Sequence, residues 1–283
     1  MVKKAVFKAD NGDVFVFGVN NGNVFYMDIG EGVSVRIGTS QGFSQVGETV
    51  QTQSAGGRKI KVVGAIYGNI AQKKKEMRRV FAPFVSGELI VNGEYSTRCY
   101  VQDAPSFTGT KEDGRYMMAL YAPYPYFSAT KESTYLIGSI FPSFSFPINY
   151  ATAHIFGKKS DARYSNIRND GDVPVPYKLT ISTNLQSTNV TVTDIKTLRY
   201  LKLNGSIDAG QTINIYRDKY GVLVAELSDA NGTTDIISWI DEGSELFEIG
   251  VGDNLILAND DEGGEALTAR FTFNPAIAAY YEN

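Results

Sequence analysis

The sequence predicts a mainly β protein of two domains. Three observations predict it: apolar and polar residues alternate with a period of two, Asn-Gly and Asp-Gly pairs punctuate the alternating runs, and one segment alone has helical periodicity. Alternation occurs in Val33-Ser34-Val35-Arg36-Ile37, Lys59-Ile60-Lys61-Val62, Asn189-Val190-Thr191-Val192-Thr193 and Thr212-Ile213-Asn214-Ile215, and most clearly in Leu267-Thr268-Ala269-Arg270-Phe271-Thr272-Phe273. Successive side chains of a strand point to opposite faces, so each run is expected to send its apolar set inward, as in antiparallel sheets with one wet face. Phe15-Val16-Phe17 and Leu255-Ile256-Leu257 are continuous apolar runs and are expected to be more deeply buried strands.

The turn chemistry agrees. Asn-Gly stands at 11–12, 21–22, 92–93, 204–205 and 231–232, and Asp-Gly at 113–114 and 170–171. Type I′ hairpin turns need positive φ at both central residues, which these pairs tolerate best. Their placement between apolar runs predicts β-meanders in both halves.

The helical segment is Asn69–Phe81. Asn69 is the expected N-cap. Ile70, Met77, Val80 and Phe81 share one face, from which Lys73 and Lys74 point away, and Pro83 ends the helix. One helix among many strands fits a sandwich with a helix packed on it.

A chain of 283 residues corresponds to about two domains of ~150 residues. The segment Ser139–Pro147 has prolines, serines and aromatics without alternation, and a new strand series begins near Tyr164, so the boundary is expected between 128 and 152.

Composition excludes several function classes. The net charge is -4, whereas general polyanion binding needs clustered Lys and Arg. The single cysteine, Cys99, permits no internal disulfide and is expected as a small core residue. No apolar run of signal-peptide length follows the N-terminal basic residues, and none approaches the ~20 residues needed to cross a bilayer, so folding in a cytosol is expected. The 17 Tyr and 16 Phe residues suit half-buried sheets and protein interfaces.

No catalytic set is apparent. His154, the only histidine, sits in an apolar setting and is expected to be structural; no Gly-x-Ser-x-Gly elbow occurs, and one His with one Cys makes no His/Cys-rich zinc site. Asp229–Asp235 begins like a calcium loop but lacks the bidentate glutamate at position twelve, and is expected to be an Asn-Gly hairpin turn. Asn259–Glu265 is expected to be a solvated acidic turn between two strands, and Gly250-Val251-Gly252 lacks the third glycine and the following helix of a dinucleotide fingerprint. No metal or cofactor is expected.

Two segments are candidate interfaces. Gly38–Gly57 is twenty residues with little core-forming character, longer than compact domains usually allow a structureless loop. It is either a mobile surface loop or an arm that becomes ordered against another subunit, with Gln41, Phe43, Gln45, Val46 and Val50 as its contacts. The basic helix carries Lys73, Lys74, Lys75, Arg78 and Arg79. These form a solvated face, a surface for a neighbour's carboxylates through Lys73, Lys74, Arg78 and Arg79, or a contact with passing nucleic acid.

From about residue 58 to 127 the chain resembles the distal tail protein family of siphophages and related prophages. The likeness is carried, in order, by Gly57-Arg58-Lys59-Ile60-Lys61-Val62-Val63-Gly64, the helix near 69–82, Phe84, Gly87-Glu88-Leu89, the strand Tyr95–Val101, Pro105-Ser106-Phe107 and Tyr121-Ala122-Pro123-Tyr124-Pro125-Tyr126-Phe127. Where the family usually ends in Asp-Pro-Tyr-Phe, Tyr124 stands in the acid's place, while Pro125-Tyr126-Phe127 is intact. The segment from Asn166 through Asn169-Asp170-Gly171-Asp172, the hairpins after it, and Gly252-Asp253-Asn254-Leu255 are similar to the family's galectin-like sandwich.

The resemblance implies a ring-forming β domain with one helix over 1–138 and a galectin-like β-sandwich over 139–283. It implies a homo-hexameric ring in the virion, made in the bacterial cytoplasm and joined to the tail tube protein, the tail tip protein and receptor-binding or baseplate proteins. DNA would pass through the ring without specific recognition, and no membrane would be involved. The alternative is a carbohydrate-binding module for host-wall glycans in which Trp239 or a tyrosine stacks on a sugar ring, although the His-x-Asn-x-Arg strand of galectins is absent.

Overall fold

The structure is a computed structural model that describes residues 2–29, 33–108, 112–138, 140–142, 157–159, 164–218, 221–261 and 267–280. The chain divides into two compact units: Met1–Lys131 together with Ala276–Asn283, and Glu132–Pro275. The expected halves, 1–138 and 139–283, differ from these units at both ends. Ser133–Ile137 pairs with Leu267–Phe273 inside the second unit, and Ala276–Ile277 pairs with Phe127–Ala129 inside the first.

The first unit contains β1 (Ala5–Ala9), β2 (Val14–Phe17), β3 (Asn23–Met27), β4 (Val35–Ser40), β5 (Thr49–Ala55), β6 (Arg58–Ile66), helix α1 (Ile70–Val80), β7 (Ser86–Val91), β8 (Tyr95–Phe107), β9 (Arg115–Ala122) and β10 (Phe127–Ala129). Its main sheet runs β2-β1-β7-β8-β9-β6-β3, with β10 paired to β8 and to the C-terminal strand. The alternation of β6 works as expected: Ile60 and Val62 are buried, while Lys59 and Lys61 face solvent.

Helix α1 closes the core of this unit. Met77, Val80 and the adjoining Phe81 are fully buried, and Phe81 lies 4.9 Å from Phe7, 5.5 Å from Phe15 and 5.7 Å from Phe17, ring centre to ring centre. Burial of each such side chain contributes about 1.5–3 kcal/mol. Asn69 occupies the N-cap position, but its amide donates to Gln72 Oε1 at 2.8 Å and makes no cap. Phe15 and Phe17 are buried while Val16 between them is only half-buried, so this run alternates as well.

The second unit contains β11 (Ser133–Ile137), β12 (Ile140–Pro142), β13 (Gly157–Lys159), β14 (Tyr164–Asn169), β15 (Lys178–Thr183), β16 (Ser187–Thr188), β17 (Thr191–Asp194), β18 (Tyr200–Lys202), β19 (Ser206–Ile207), β20 (Thr212–Arg217), β21 (Leu223–Asp229), β22 (Gly232–Asp235), β23 (Gly252–Asn259) and β24 (Leu267–Phe273); Ala276–Ile277 is β25. A sheet ordered β11-β24-β15-β20-β21-β22 and one ordered β14-β23-β17-β18 build a galectin-like β-sandwich. One sheet buries Leu179, Ile213, Ile215 and Phe271; the other buries Ile167, Val192, Leu201 and Ile256. The run Leu255-Ile256-Leu257 is not uniformly buried: Ile256 is enclosed, whereas Leu255 is on the wet side.

The turns follow backbone need more closely than dipeptide identity. Asn92 and Gly93 both have positive φ, 50° and 78°, between β7 and β8. In the β21–β22 hairpin Asp229 pairs with Gly232, so Ala230 and Asn231, not the Asn-Gly pair, occupy the bend. Asp229 Oδ1 accepts the backbone N–H groups of Asn231 and Gly232 at 2.7 and 3.1 Å, which accounts for this acid without a metal.

Candidate assembly interface

Strands β4 and β5 form a two-stranded sheet of their own, paired antiparallel from Val35↔Ala55 to Ser40↔Thr49 with a shift between Gly38 and Thr39. A Cβ at Gly38 would sit 2.4 Å from Thr52 Oγ1, so glycine lets the strands close there. Gly38–Gly57 is therefore the greater part of a hairpin, not a structureless loop. The alternation of Val33–Ile37 does not send an apolar set inward: Val35 and Ile37 are 56% and 57% exposed. Among the described residues, no second layer covers their shared face.

The hairpin tip is ordered by its own amides. Gln41 Nε2 donates to the Gln45 carbonyl at 3.1 Å, Gln45 Oε1 accepts the Gly42 N–H at 2.9 Å, and Gln45 Nε2 donates to Thr49 Oγ1 at 2.9 Å. Ser44 and Gly47 turn the chain with φ of 64° and 88°. The structure thus gives Gln41 and Gln45 a part in holding the tip. Phe43 and Val46 project from it fully exposed, and Val50 is about half exposed.

Four of the five cations of α1, Lys73, Lys74, Arg78 and Arg79, are engaged within their own unit. Lys73 Nζ donates to the Asn21 carbonyl, Lys74 Nζ and the Arg78 guanidinium each lie 5.2 Å from the centre of the Phe107 ring, and Arg79 pairs with Asp13 at 3.1 Å. Lys73 and Lys74 are half-buried along the flanks of the helix, not turned away from the body as expected. Contacts of this kind are worth about 0.5–1 kcal/mol each at exposed sites. They give the basic residues a local role that spacing alone did not suggest.

A second exposed apolar surface lies on the outer face of the main sheet. Tyr26 pairs with Val63 and Val63 with Met117, which places the three in one row across β3, β6 and β9. All three are exposed, as is Val24 beside them. Sequence reasoning missed this row. The available signal was doubled apolar residues, Val62-Val63 and Met117-Met118: in a strand, one member of such a pair must face outward. Phe84 is also fully exposed, with φ of 69°.

The remaining candidates resolve individually. Asp260 is not solvated: it is buried and accepts a hydrogen bond from Ser187 Oγ, while Asp261 Oδ2 accepts from Asn189 Nδ2 at 2.6 Å. Residues 262–265 of that acidic segment, and His154, lie outside the described residues. Trp239 is half-buried with its ring against Gly205, where a Cβ would meet ring carbons at 2.2–2.6 Å. Among the described residues no group of three or more His, Cys, Asp or Glu side chains is placed to hold a metal, and no helix is long and apolar enough to cross a membrane.

Residues 170–274 match the family model described as siphovirus-type tail component, C-terminal domain. Among solved structures, the chain is similar to the Dit protein of phage SPP1, described as a paradigm of the hub adsorption apparatus in phages infecting Gram-positive bacteria. The TM-score is 0.65 at 12% identity, over 95% of this chain and 98% of that one. Chains of the phage P2 baseplate in its activated conformation also align, with Ca at a TM-score of 0.49 and 12% identity, and with Sr at 0.48 and 13%, each over 96% of this chain and 98% of the other. A search of curated protein sequences returns no match. Residues 170–274 thus match the siphovirus-type tail component C-terminal domain model, within a chain whose fold is similar to that of the SPP1 Dit protein.

Proposed function

We propose that this protein is a structural, non-enzymatic virion component that forms a hexameric ring hub at the distal end of a non-contractile phage tail. The first unit builds the ring around the channel through which DNA passes. The second unit projects toward tail tip and receptor-binding or baseplate proteins, and the ring joins them to the tail tube protein. The observation that carries this reading is the β4–β5 hairpin. A two-stranded hairpin alone is marginal in water, and this one leaves Val35, Ile37, Phe43 and Val46 uncovered. A neighbouring copy supplies the missing layer.

Cyclic symmetry suits such an arm, because a head-to-tail contact repeated around a closed ring satisfies every copy. Obligate interfaces of about 2,000 Å² or more then hold the ring without covalent links. The test is native mass by light scattering on the full chain carrying Phe43→Asp and Val46→Asp. Both positions are fully exposed, so the fold is kept, as circular dichroism will verify. The expected result is a hexamer for the unmodified chain and a monomer for the variant; a hexamer in both overturns the arm.

A further inference from the structure

We infer that the second unit holds a binding pocket for a small organic carboxylate, at the strand ends of its two sheets. The pocket has a volume of about 370 Å³, enough for a small ligand. Tyr177 and Arg217 reach it from one sheet. They lie two residues before Leu179 and two after its partner Ile215, on the face that buries that pair. Arg199 reaches it from the other sheet, at the turn between β17 and β18. Residues 246–250 close one side, clipped to Val175 by two backbone hydrogen bonds with Ile249, of 2.9 and 3.1 Å. Val175 and Ile249 are buried, so their neighbours Pro174, Pro176 and Glu248 stay outside, on the rim of the pocket. The site is complete within one chain and does not require the ring.

Each part of the lining selects one part of the ligand. The Tyr177 hydroxyl is buried and meets no hydrogen-bond partner among the described residues. Tyr177 is 9% exposed, and its ring centre lies 5.4 Å from that of Phe247 and 5.0 Å from that of Phe271, so packing fixes the phenol in place. Buried polar groups are normally paired, and an orphan donor on a residue that lines a pocket asks for an acceptor. The two guanidiniums supply the charge. Arg217 Nη1 donates to the Gly221 carbonyl at 3.1 Å and Arg199 Nε pairs with Glu245 at 3.2 Å, which leaves the rest of each fork for an anion. The Arg199–Glu245 pair is exposed, so it competes weakly with a bound acid. Glu248 offsets one of the two cations, and the lining therefore favours a singly charged carboxylate over a phosphate dianion. Pro174, Pro176, Leu246 and Phe247 supply apolar walls, which fit a compact apolar body behind the carboxylate.

Isothermal titration of the full chain tests the site, with benzoate, N-acetylphenylalanine, inorganic phosphate and benzyl alcohol as probes. Benzoate is expected to bind at a single site per chain, at least about tenfold more tightly than phosphate or benzyl alcohol. N-acetylphenylalanine stands for the end of a polypeptide and benzoate for a free acid; the tighter of the two names the source of the carboxylate. Arg199→Gln and Arg217→Gln, both at exposed positions, are each expected to raise the benzoate Kd by about tenfold. Tyr177→Phe is expected to raise it similarly while leaving the thermal unfolding midpoint unchanged or higher, because the free protein loses an unpaired buried donor. A tyrosine with a structural role alone would leave benzoate binding unmoved. No binding of either carboxylate overturns the site, and equal binding of phosphate or benzyl alcohol overturns its carboxylate character. Unchanged affinity in Tyr177→Phe, or in both arginine variants, likewise overturns it. Should Tyr177→Phe fail to fold, the two arginine variants decide alone.

Discussion

Arg58 Nη2 donates to the carbonyl of Ala278, a residue 220 positions further along the chain. The same side chain donates through Nη1 to the Ile29 carbonyl at 3.2 Å, and its guanidinium stands 5.2 Å from the centre of the Phe127 ring. Arg58 is buried. It therefore ties β6, β10 and the segment after β25 at one point in the interior of the first unit.

The first prediction concerns this tie. Arg58→Ala removes two charge-assisted hydrogen bonds from a buried site, each worth ~1.5 kcal/mol or more, and is expected to lower stability by about 3 kcal/mol. Amide exchange at Ala276 and Ile277 should accelerate along with it. Urea unfolding and hydrogen exchange measure the two effects; unchanged protection of β25 would show that Arg58 does not hold it.

A second prediction follows from Tyr116, whose hydroxyl donates to Asn23 Oδ1 at 3.0 Å in the core. Burial pushes this hydroxyl up to about 12 from its ordinary 10. The group ionises at lower pH in the unfolded chain than in the folded one. Its contribution is thus whole below pH 10 and is lost as pH rises from about 10 to about 12, at most ~3 kcal/mol. Tyr116→Phe should flatten this part of the alkaline decline in urea titrations between pH 9 and 12. Burial also raises Tyr177, so a smaller decline remains.

Gly205 and Trp239 give a third. Replacing a glycine by alanine ordinarily stabilises by about 0.4–1 kcal/mol through the unfolded state, but here the new methyl would meet the indole ring at 2.2 Å. Overpacking costs about 1–3 kcal/mol, so Gly205→Ala is expected to destabilise. The single tryptophan makes the change visible as a shifted emission maximum and a lower unfolding midpoint.

The fourth concerns Cys99, which is fully enclosed, with Sγ 3.7 Å from the Thr97 carbonyl. Burial raises the thiol well above its ordinary range, and the thiolate is the reactive form. A thiol reagent should label the native chain at least about a thousandfold more slowly than the unfolded chain. Rapid native labelling would show that β8 opens locally.

How much of this was legible in the sequence depends on what each pattern encodes. Leu267–Phe273 was readable because period two specifies which residues share a face, and in β24 that face meets a core. Val33–Ile37 carries the same pattern, yet Val35 and Ile37 stay in solvent. Alternation says nothing about whether an opposing layer exists. Leu255–Leu257 erred differently: a run of apolar residues must send one of them outward in a sheet with one wet face. The helix was located by its apolar stripe, but the partners of Lys73, Lys74, Arg78 and Arg79 come from Asn21, Phe107 and Asp13 on other elements. The row Tyr26–Val63–Met117 exists only through the registers of three strands, and the reach of Arg58 to Ala278 spans most of the chain. Contacts that depend on tertiary register leave no local trace.

The pairing of β25 with β10 makes the second unit an insertion within the first. During synthesis, the ribosome must translate the entire inserted body before the strand that completes the earlier one emerges. Completion of the first unit is thereby postponed until the second has been made, and a nascent chain truncated before that point lacks the strand that pairs with β10.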